Sequence, residues 1–261
     1  MKVGIVGVGV VGAACKFGFE LVGHNVSIHD IIYDTTLTDV LDTEIVYICV
    51  PTPQAEDGAC DVSIVREVVL GLKERGYNGI VALKSTVVPG TTQSLREETG
   101  LNVCFVPEFL RERCAITDFT ENHDVCIIGC SDDKTYELIK SCHEPLPEKF
   151  VKLTHAEAEF CKYFNNVYNA MLIIFANSFY EACKNNGVNY TNVKNAVSNR
   201  KHIHGHYLEC NDNFRGFGGM CLPKDVSAMA KLMESTTVDF FEDLLDENSK
   251  YNITVFEGMR K

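Results

Sequence analysis

The sequence predicts an α/β protein in which a Rossmann-like, doubly wound parallel sheet is followed by a long central helix and a small helical domain. Short, nearly continuous apolar runs alternate with helically spaced stretches through the first 150 residues, which is typical of parallel strands covered on both faces. A glycine-rich turn joins the first apolar run to the first helical stretch. Residues 155–186 then contain neither glycine nor proline, which favours one long helix.

The first 150 residues are predicted to form a dinucleotide-binding domain of six strands and four helices. The expected strands cover residues 3–6, 25–29, 45–50, 80–83, 103–106 and 125–128. The expected helices cover residues 10–22, 63–75, 93–98 and 134–142.

Residues 151–261 are predicted to hold a connector helix and a helical domain for substrate binding and dimerisation. As a helix, residues 155–186 would extend roughly 48 Å. One apolar stripe is expected on it, through Phe160, Phe164, Val167, Met171 and Ile174. A stripe of this length predicts pairing with a second copy of the chain, hence a homodimer. Shorter helices are expected at 192–198, 223–234 and 239–247.

Composition excludes several classes of protein. The 261 residues carry a formal net charge of −12, so no basic excess exists to bind nucleic acid. None of the twelve cysteines forms a CxxC pair, and no metal site is expected. No apolar run approaches the ~20 residues that span a bilayer, so no membrane partner is expected. Most cysteines lie in apolar runs and no signal peptide opens the chain, which predicts reduced thiols and a cytoplasmic location.

A GxGxxG pattern follows the first strand and opens the first helix. Its candidate cofactor-binding residues are Gly7, Gly9, Val10, Val11 and Gly12. Glycines there let backbone amides approach a pyrophosphate at the helix N-terminus. Asp30 ends the second strand 18 residues after Gly12, where a carboxylate accepts hydrogen bonds from a ribose and repels a 2′-phosphate. The pattern predicts NAD rather than NADP; a glycine turn without a ligand is the alternative.

Polar residues and prolines follow the third and fourth strands. Pro51 and Thr52 come after the third, and Ser85 and Thr86 come after the fourth. Ligands of open α/β sheets collect beyond the carboxyl ends of the strands, so these residues are candidates for a rigid, polar cofactor wall. Taken singly, each segment is equally well explained as a turn.

Two pairs of polar residues have the spacing of one helical turn. Glu108 and Glu112 would share a face in any helical turn, where neighbouring carboxylates suit acid–base chemistry. Lys162 and Asn166 are also four apart, and an ammonium and an amide aimed at one point would stabilise an oxyanion. On spacing alone, the plainer alternatives are slightly favoured: a solvated acidic face for Glu108 and Glu112, and a surface polar pair for Lys162 and Asn166.

Residues 216–225 form the most specific segment, with glycines followed by Cys221, Pro223, Lys224 and Asp225. Proline fits the first turn of a helix, which would place Cys221 at the positive helix N-terminus. That position and Lys224 favour the thiolate form, which is the nucleophile. Asp225 would lie one turn beyond the sulfur. The alternative is a buried structural cysteine.

Together and in order, these motifs resemble the UDP-glucose/GDP-mannose dehydrogenase family from residue 1 to about 235. The motifs are GxGxxG, VPTP followed by the Gly58/Asp61/Ser63 pattern, KST, PEFLRE, the Lys162/Asn166 pair and GFGGxCxPKD. The resemblance implies that a nucleotide sugar, UDP-glucose in the first place, is oxidised at its primary alcohol to the uronic acid. It further implies two hydride transfers to NAD through a thiohemiacetal and a thioester on Cys221.

The resemblance also implies roles for individual residues. Cys221 would be the nucleophile, and the polar catalytic shell would be Lys162, Asn166, Asp225, Glu112 and Thr86. Thr86 and Glu112 would also contact the cofactor. The residues expected at the substrate are Glu108, Phe109, Leu110, Lys162, Asn166, Tyr207, Phe217, Gly218 and Lys224.

Members of the family normally continue into a further α/β domain that grips the nucleotide base. Only 36 residues follow Asp225 in this sequence, fewer than the ~50 of a small domain, so a C-terminal UDP-binding domain is expected to be absent. Two other hypotheses therefore stand beside the first. One is a β-hydroxyacid-type dehydrogenase that transfers two electrons on the same two-domain plan. The other is a non-catalytic remnant that binds NAD or a nucleotide sugar.

Overall fold

The computed structural model describes residues 1–251, and the chain divides into two compact units. The first unit comprises Met1–Pro53 and Cys60–Lys162. The second comprises Gln54–Ala59 and the chain from Tyr163 onwards. The expected boundary at residue 150 falls inside the first unit, because residues on both sides of it belong to the same strand.

Within residues 1–251, the first unit is built on one seven-stranded sheet. Its strands are β1 (Lys2–Val6), β2 (Asn25–His29), β3 (Ile45–Ile48), β4 (Ile80–Leu83), β5 (Asn102–Phe105), β6 (Val125–Gly129) and β7 (Lys149–Leu153). They lie in the order β2-β1-β3-β4-β5-β6-β7. The predicted Rossmann-like α/β class is confirmed.

The sheet differs from the prediction in one pairing and in one strand. β6 pairs antiparallel to β5 through Phe105 and Gly129, whereas the other neighbours are parallel. β7 is missing from the sequence prediction. Its two lysines and its largely exposed side chains make it an edge strand without the continuous apolar run of a buried one.

The helices of the first unit cover the sheet. They are α1 (Val10–Leu21), α2 (Ser63–Glu74), α3 (Thr91–Thr99), α4 (Ala115–Thr120) and α5 (Asp133–His143), with 3₁₀ turns at Leu37–Val40 and Glu112–Cys114. The four predicted helices are present with ends shifted by two residues at most. The short α4 and the 3₁₀ turns are absent from the prediction, because single turns leave no periodic pattern.

Strand residues alternate between two apolar layers. Tyr47 and Cys104 face one layer, with α1 and α4, and Ile48 and Phe105 face the other, with α2 and α3. These four side chains are fully buried. Burial on both faces accounts for the continuous apolar runs in the sequence.

The second unit is helical in its described part. α6 (His155–Asn185) begins in the first unit and continues into the second, followed by α7 (Tyr190–Val197), α8 (Leu222–Met233) and α9 (Phe240–Ser249). Tyr190 and Leu208 contribute to the core of this unit, and the Tyr190 hydroxyl donates to the Leu208 carbonyl at 2.8 Å. The last part of the predicted helical domain, residues 252–261, lies outside the described residues.

The predicted single apolar stripe on α6 is wrong. Val167 and Ile174 are buried, whereas Phe160 is 46% and Phe164 is 76% exposed. The exposed face of α6 carries an aromatic row, which we define as Phe160, Phe164, Tyr168, Phe175 and Phe179. Both faces of α6 carry apolar residues. The spacing of apolar residues in the sequence, 3.5 on average, therefore does not distinguish the buried face from the exposed one.

Residues 1–251 contain neither a candidate membrane span nor a candidate metal cluster. No helix there combines the length and the apolar character needed to cross a bilayer. In the same residues, no three His, Cys, Asp or Glu side chains converge in a way that would hold a metal ion.

Candidate active site

The glycine loop after β1 has the shape that a dinucleotide requires. Gly7 has φ +88°, and a Cβ there would lie 2.8 Å from the Cys49 carbonyl carbon. A Cβ on Gly12 would overlap the Gly7 carbonyl oxygen. A Cβ on Gly9, the N-cap of α1, would meet no atom within 4 Å. Two glycines therefore let the chain close on itself, and the third leaves open space above the helix N-terminus, where a pyrophosphate fits.

Asp30 follows β2 and binds this loop directly. Its Oδ2 accepts from the Val8 amide at 2.6 Å, and its Oδ1 accepts from the Ile32 amide at 3.1 Å. A carboxylate can accept about four hydrogen bonds, so both oxygens keep capacity for ribose hydroxyls. Of the other predicted cofactor residues, Val10 and Val11 pack against the apolar layer of α1.

The predicted cofactor residues after β3 and β4 differ in exposure and in the hydrogen bonds that they form. The buried Ser85 hydroxyl donates to the Val50 carbonyl at 2.7 Å, so it ties the two strand ends together. Thr52 is also buried, and Pro51 is exposed. Thr86 is half-buried, and its carbonyl accepts from the Cys60 thiol at 3.5 Å.

Glu108 forms a buried ion pair with Lys162. The Lys162 Nζ lies 2.7 Å from Glu108 Oε1 and also donates to the Glu108 carbonyl at 2.7 Å. The side chains are 4% exposed for Lys162 and 10% for Glu108. The prediction that Glu108 shares a helical face with Glu112 is wrong, because Glu108 lies in irregular chain and Glu112 begins a 3₁₀ turn.

The residues next to Glu108 organise the same segment. The Leu110 amide donates to Glu108 Oε2 at 2.8 Å, and the Lys162 ammonium lies 5.9 Å from the centre of the Phe109 ring. Each oxygen of the Glu108 carboxylate thus has a donor within the first unit.

Glu112 lines a cavity of about 320 Å³. Val10 and Ala13 of α1 line the same cavity, together with the start of α4. Because α1 begins directly after the glycine loop, this cavity, and Glu112 with it, lies beside that loop.

A second buried carboxylate anchors the chain beside Glu112. Asp118 Oδ2 accepts from both the amide and the Nε of Arg111 at 2.9 Å, and Oδ1 accepts from Nη2 at 2.6 Å. The Arg111 guanidinium holds the pKa of Asp118 well below its usual range. This ion pair fixes the residue that precedes Glu112.

Cys221 is the N-cap of α8, and Pro223 lies in the first turn, as the sequence predicts. All twelve cysteines lie within residues 1–251, and Cys221 is the one that is exposed. Elsewhere burial works against the thiolate: it raises the pKa of the Cys126 thiol to about 12. The interpretation of Cys221 as a buried structural cysteine is therefore excluded.

Asp225 lies one turn into α8 and is fully buried. The Asn166 Nδ2 donates to Asp225 Oδ2 at 2.6 Å, and the Lys224 ammonium is bonded to Oδ1. Lys162 and Asn166 are expected to aim at one point, but each binds a different carboxylate, Glu108 in the first case and Asp225 in the second. Asn166 is itself 5% exposed, so it is not a surface residue.

The remaining predicted substrate residues lie in the chain before α8. Tyr207 has φ +62° and is 39% exposed, and Gly218 is half-buried. The Phe217 ring is buried, so it belongs to the core of the unit rather than to an open surface.

Three buried polar residues beside these segments are missing from the sequence prediction. In the first unit, Glu159 accepts from the amides of Gly90 and Thr92 at 2.6 and 2.8 Å, at the start of α3. In the second, Asn177 and Asn248 bind the glycine loop. Each of the three side chains binds backbone that is far away in the sequence. A local sequence pattern therefore cannot predict these contacts.

The fold and these residues define a class: a Rossmann-like, dinucleotide-binding protein with a thiol at the start of a helix in a second unit. The family follows from the sequence itself. Residues 32–147 match the NAD binding domain of the UDP-glucose/GDP-mannose dehydrogenase family, and residues 156–253 match its central domain. The chain belongs to this family, and its cofactor is NAD.

Two proteins named for dehydrogenase activity on a nucleotide sugar are similar in sequence to this chain. The chain is 32% identical to the UDP-glucose 6-dehydrogenase AglM of Haloferax volcanii, over 75% of this chain and 49% of that protein. It is 30% identical to the GDP-mannose 6-dehydrogenase of Pseudomonas aeruginosa, over 73% and 47% respectively. The chain spans about half the length of these curated relatives.

Solved structures show the same architecture. A UDP-glucose dehydrogenase from Pyrobaculum islandicum matches with a TM-score of 0.86 at 28% identity, covering 95% of this chain and 68% of that one. A 3-hydroxyisobutyrate dehydrogenase from Mycobacterium tuberculosis matches with a TM-score of 0.76 at 16% identity, over 95% and 92%. The second likeness shows a shared fold alone.

Proposed function

We propose that this chain oxidises the primary alcohol of a nucleotide sugar, UDP-glucose in the first place, to the uronic acid in two NAD-dependent steps. The observation that carries the proposal is Cys221: the exposed cysteine among twelve, placed at the N-cap of α8 above a buried Asp225. A helix N-terminus favours the thiolate, which is the form that attacks a carbonyl carbon.

NAD, when bound, supplies the hydride acceptor in both steps. Loss of the first hydride and of the hydroxyl proton converts the alcohol to an aldehyde. The Cys221 thiolate then adds to the aldehyde carbon while the carbonyl oxygen takes up a proton. The resulting thiohemiacetal loses a second hydride to NAD and its hydroxyl proton to become a thioester. Water adds to the thioester, the carbon–sulfur bond breaks, and the acid and the Cys221 thiolate are released.

The polar residues have separate roles in this proposal. Lys162 and Asn166 stabilise the oxyanions that form at the reacting carbon. Glu108 and Asp225 hold these two side chains in place, since each carboxylate is bonded to one of them. The first unit binds NAD, and the second unit binds the sugar.

Thr86 and Glu112 position or deprotonate water for hydrolysis, and Lys224 with Tyr207 and Gly218 contacts the sugar nucleotide. Glu112 has the best structural support among them, because it lines the 320 Å³ cavity beside the glycine loop. The many buried cysteines suit a reducing compartment, and we place the protein in the cytoplasm.

A homodimer is part of the proposal, with the aromatic row of α6 as its contact surface. Phe164 is the most exposed of the five side chains, at 76%. Large exposed aromatic patches are typical of interaction sites. Light scattering at micromolar concentration should give twice the chain mass for the parent protein and the chain mass for Phe164→Glu. A monomeric parent protein would refute the dimer.

The stoichiometry of NADH tests the reaction. The purified chain is mixed with NAD and limiting UDP-glucose, GDP-mannose or other nucleotide sugars, and NADH and uronic acid are counted. The proposal predicts two NADH and one acid per sugar consumed. One NADH per substrate, with activity that survives Cys221→Ala, would instead identify the β-hydroxyacid type of dehydrogenase. NAD binding without turnover of any sugar would identify a non-catalytic binding protein.

A further inference from the structure

The glycine loop that precedes Cys221 is held by a carboxamide from α9. The Phe217 amide donates to Asn248 Oδ1 at 2.7 Å, and Asn248 Nδ2 donates to the Phe217 carbonyl at 2.9 Å. Asn248 is 6% and Phe217 is 1% exposed. One side chain thus satisfies both backbone groups of a single buried residue, four positions before the candidate nucleophile.

The residues just before Phe217 are also anchored. The Gly216 amide donates to Asn177 Oδ1 on α6 at 3.2 Å. The Arg215 guanidinium is paired with Glu181 and lies over the Tyr251 ring at 4.9 Å. Residues 215–217, which we term the loop stem, are therefore bound to α6 and to the C-terminal end of α9.

After the stem, the chain runs through two glycines and an exposed residue before Cys221. Gly218 and Gly219 are followed by Met220, which is 49% exposed, and Gly219 has φ +78°. Glycine pairs leave the backbone with many accessible conformations. The Cys221 carbonyl accepts from the Asp225 amide at 2.9 Å within α8, so the two glycines are held at one end by α8 and at the other by the stem, whose Phe217 backbone is bonded to the Asn248 amide at 2.7 and 2.9 Å.

We propose that Asn248 is a positioning residue for Cys221: by clamping the Phe217 backbone, it keeps the thiol at the N-cap of α8. This inference deepens the proposed function and relies on it for the role of Cys221 as nucleophile. With the clamp open, the glycines allow Cys221 to leave the helix N-terminus, and the thiolate loses the stabilisation that this position provides.

The rival explanation is that Asn248 only stabilises the packing of α9, which lies against α8. Leu244 provides a matched control, because it is a buried side chain of the same helix with no hydrogen bond to the loop. Leu244→Ala loosens the helix by leaving a cavity, whereas Asn248→Leu removes both hydrogen bonds at similar volume.

The test measures the rate at which iodoacetamide alkylates residue 221 in the folded chain from pH 5 to 9, followed by peptide mass spectrometry. In Asn248→Leu the midpoint of the pH profile should move upward, and the rate at pH 6.5 should fall by roughly two- to fivefold. Leu244→Ala should lower the unfolding temperature and keep the parent midpoint. Asn248→Asp, which retains an acceptor for the Phe217 amide, should move the midpoint less.

An Asn248→Leu midpoint equal to that of the parent chain would overturn the proposal, whatever happens to the unfolding temperature. If Asn248→Leu does not fold, the same comparison is decided by Asn248→Asp. The alkylation assay requires no turnover, so a failure of the proposed reaction, seen as absence of NADH, is distinguished from a failure of the clamp. In an active chain, Asn248→Asp should lower kcat and leave the KM for NAD unchanged.

Discussion

The two glycine loops of the molecule both lead into a helix, but they are held in different ways. The loop after β1 closes on itself: Gly12 packs on the Gly7 carbonyl, and the Val8 amide binds Asp30. The loop before α8 is held from outside, by the amides of Asn177 and Asn248. In the proposed function, the first loop presents backbone amides to NAD, and the second presents the sulfur atom of Cys221.

This contrast explains why the loop after β1 can be predicted from the sequence, whereas the loop before α8 can be predicted only in part. A loop that closes on itself requires glycines at fixed spacing, and the spacing is visible. A loop held by side chains 31 and 39 residues away shows its glycines and its cysteine, while the residues that hold it stay hidden among ordinary helix positions.

The largest effect is expected from Gly12→Ala. The added methyl group would overlap the Gly7 carbonyl oxygen, which is backbone and cannot turn aside. Forcing the loop open should cost more than about 3 kcal/mol of unfolding free energy and abolish NAD binding. Denaturant titration and calorimetric NAD titration measure the two quantities. A stable variant that binds NAD normally would contradict the closed-loop description.

Gly9→Ala is the matched control for the same loop. Its methyl group would meet no protein atom, and Gly9 has a φ of −73° that alanine adopts. The stability should therefore stay within about 0.5 kcal/mol of the parent, while the affinity for NAD falls at least about tenfold because the methyl group occupies the pyrophosphate space. An unchanged affinity would place the cofactor elsewhere.

Lys162→Met should cost about 3 kcal/mol of unfolding free energy. The change leaves the 10% exposed Glu108 carboxylate without its cation. Lys152→Met is the control, because its partner Asp133 is 93% exposed and exposed pairs contribute less than about 1 kcal/mol. Chemical denaturation of both variants gives the comparison, and equal losses would contradict a buried ion pair.

Acidification should weaken the first unit through His143, which is fully buried, and His123, which is half-buried. Burial lowers the pKa of His143 well below its ordinary value and that of His123 to about 4. The folded state then binds fewer protons than the unfolded state, so stability present above pH 6.5 is lost as the pH falls below it. A single such group contributes about 1.4 kcal/mol per pH unit in this window.

His143→Phe tests this contribution. The ring packs edge-on against Phe19 and Tyr47, so an aromatic replacement keeps these ring contacts. It removes the titration together with the hydrogen bond between Nδ1 and the Ile139 carbonyl, a loss that is the same at every pH in the window. Unfolding temperatures between pH 5 and 7 should fall less steeply in the variant than in the parent chain. Parallel curves would show that His143 does not carry the effect.

Glu159→Gln should have the smallest effect, about 1 kcal/mol. The carboxylate accepts from two amides and from the Thr92 hydroxyl, and a carboxamide must turn one N–H toward these donors. Exposed Glu157, which caps the start of α6 by accepting from the Thr154 amide, offers a comparison on the same helix. A loss for Glu157→Gln as large as for Glu159→Gln would contradict the importance of burial.

Much of the fold is predictable from the sequence because its signals are local. Buried parallel strands give continuous apolar runs, and helix ends are marked at Gly187 and Pro223. β7 escapes because an edge strand with lysines lacks such a run. The two faces of α6 are confused because both are apolar, and only the packing of neighbouring segments decides which one is buried.

The candidate site is predictable to the extent that its residues lie in motifs. The positions of Cys221 and Pro223 at the start of α8 follow from proline chemistry. The partners of Lys162 and Asn166 do not, because Glu108 and Asp225 are 54 and 59 residues away. The partner of Ser85 is hidden for the same reason, because its hydroxyl donates to the Val50 carbonyl across two strand ends.

The most direct test of the account is the rate at which Cys221→Ala forms uronic acid from a nucleotide sugar that the parent chain oxidises. Cys183→Ala, which removes a buried thiol from α6, is the control and should keep the parent rate. Without the sulfur no thioester can form, so acid production by Cys221→Ala should fall at least about a thousandfold while NAD binding is unchanged. Acid production at the parent rate would contradict the account.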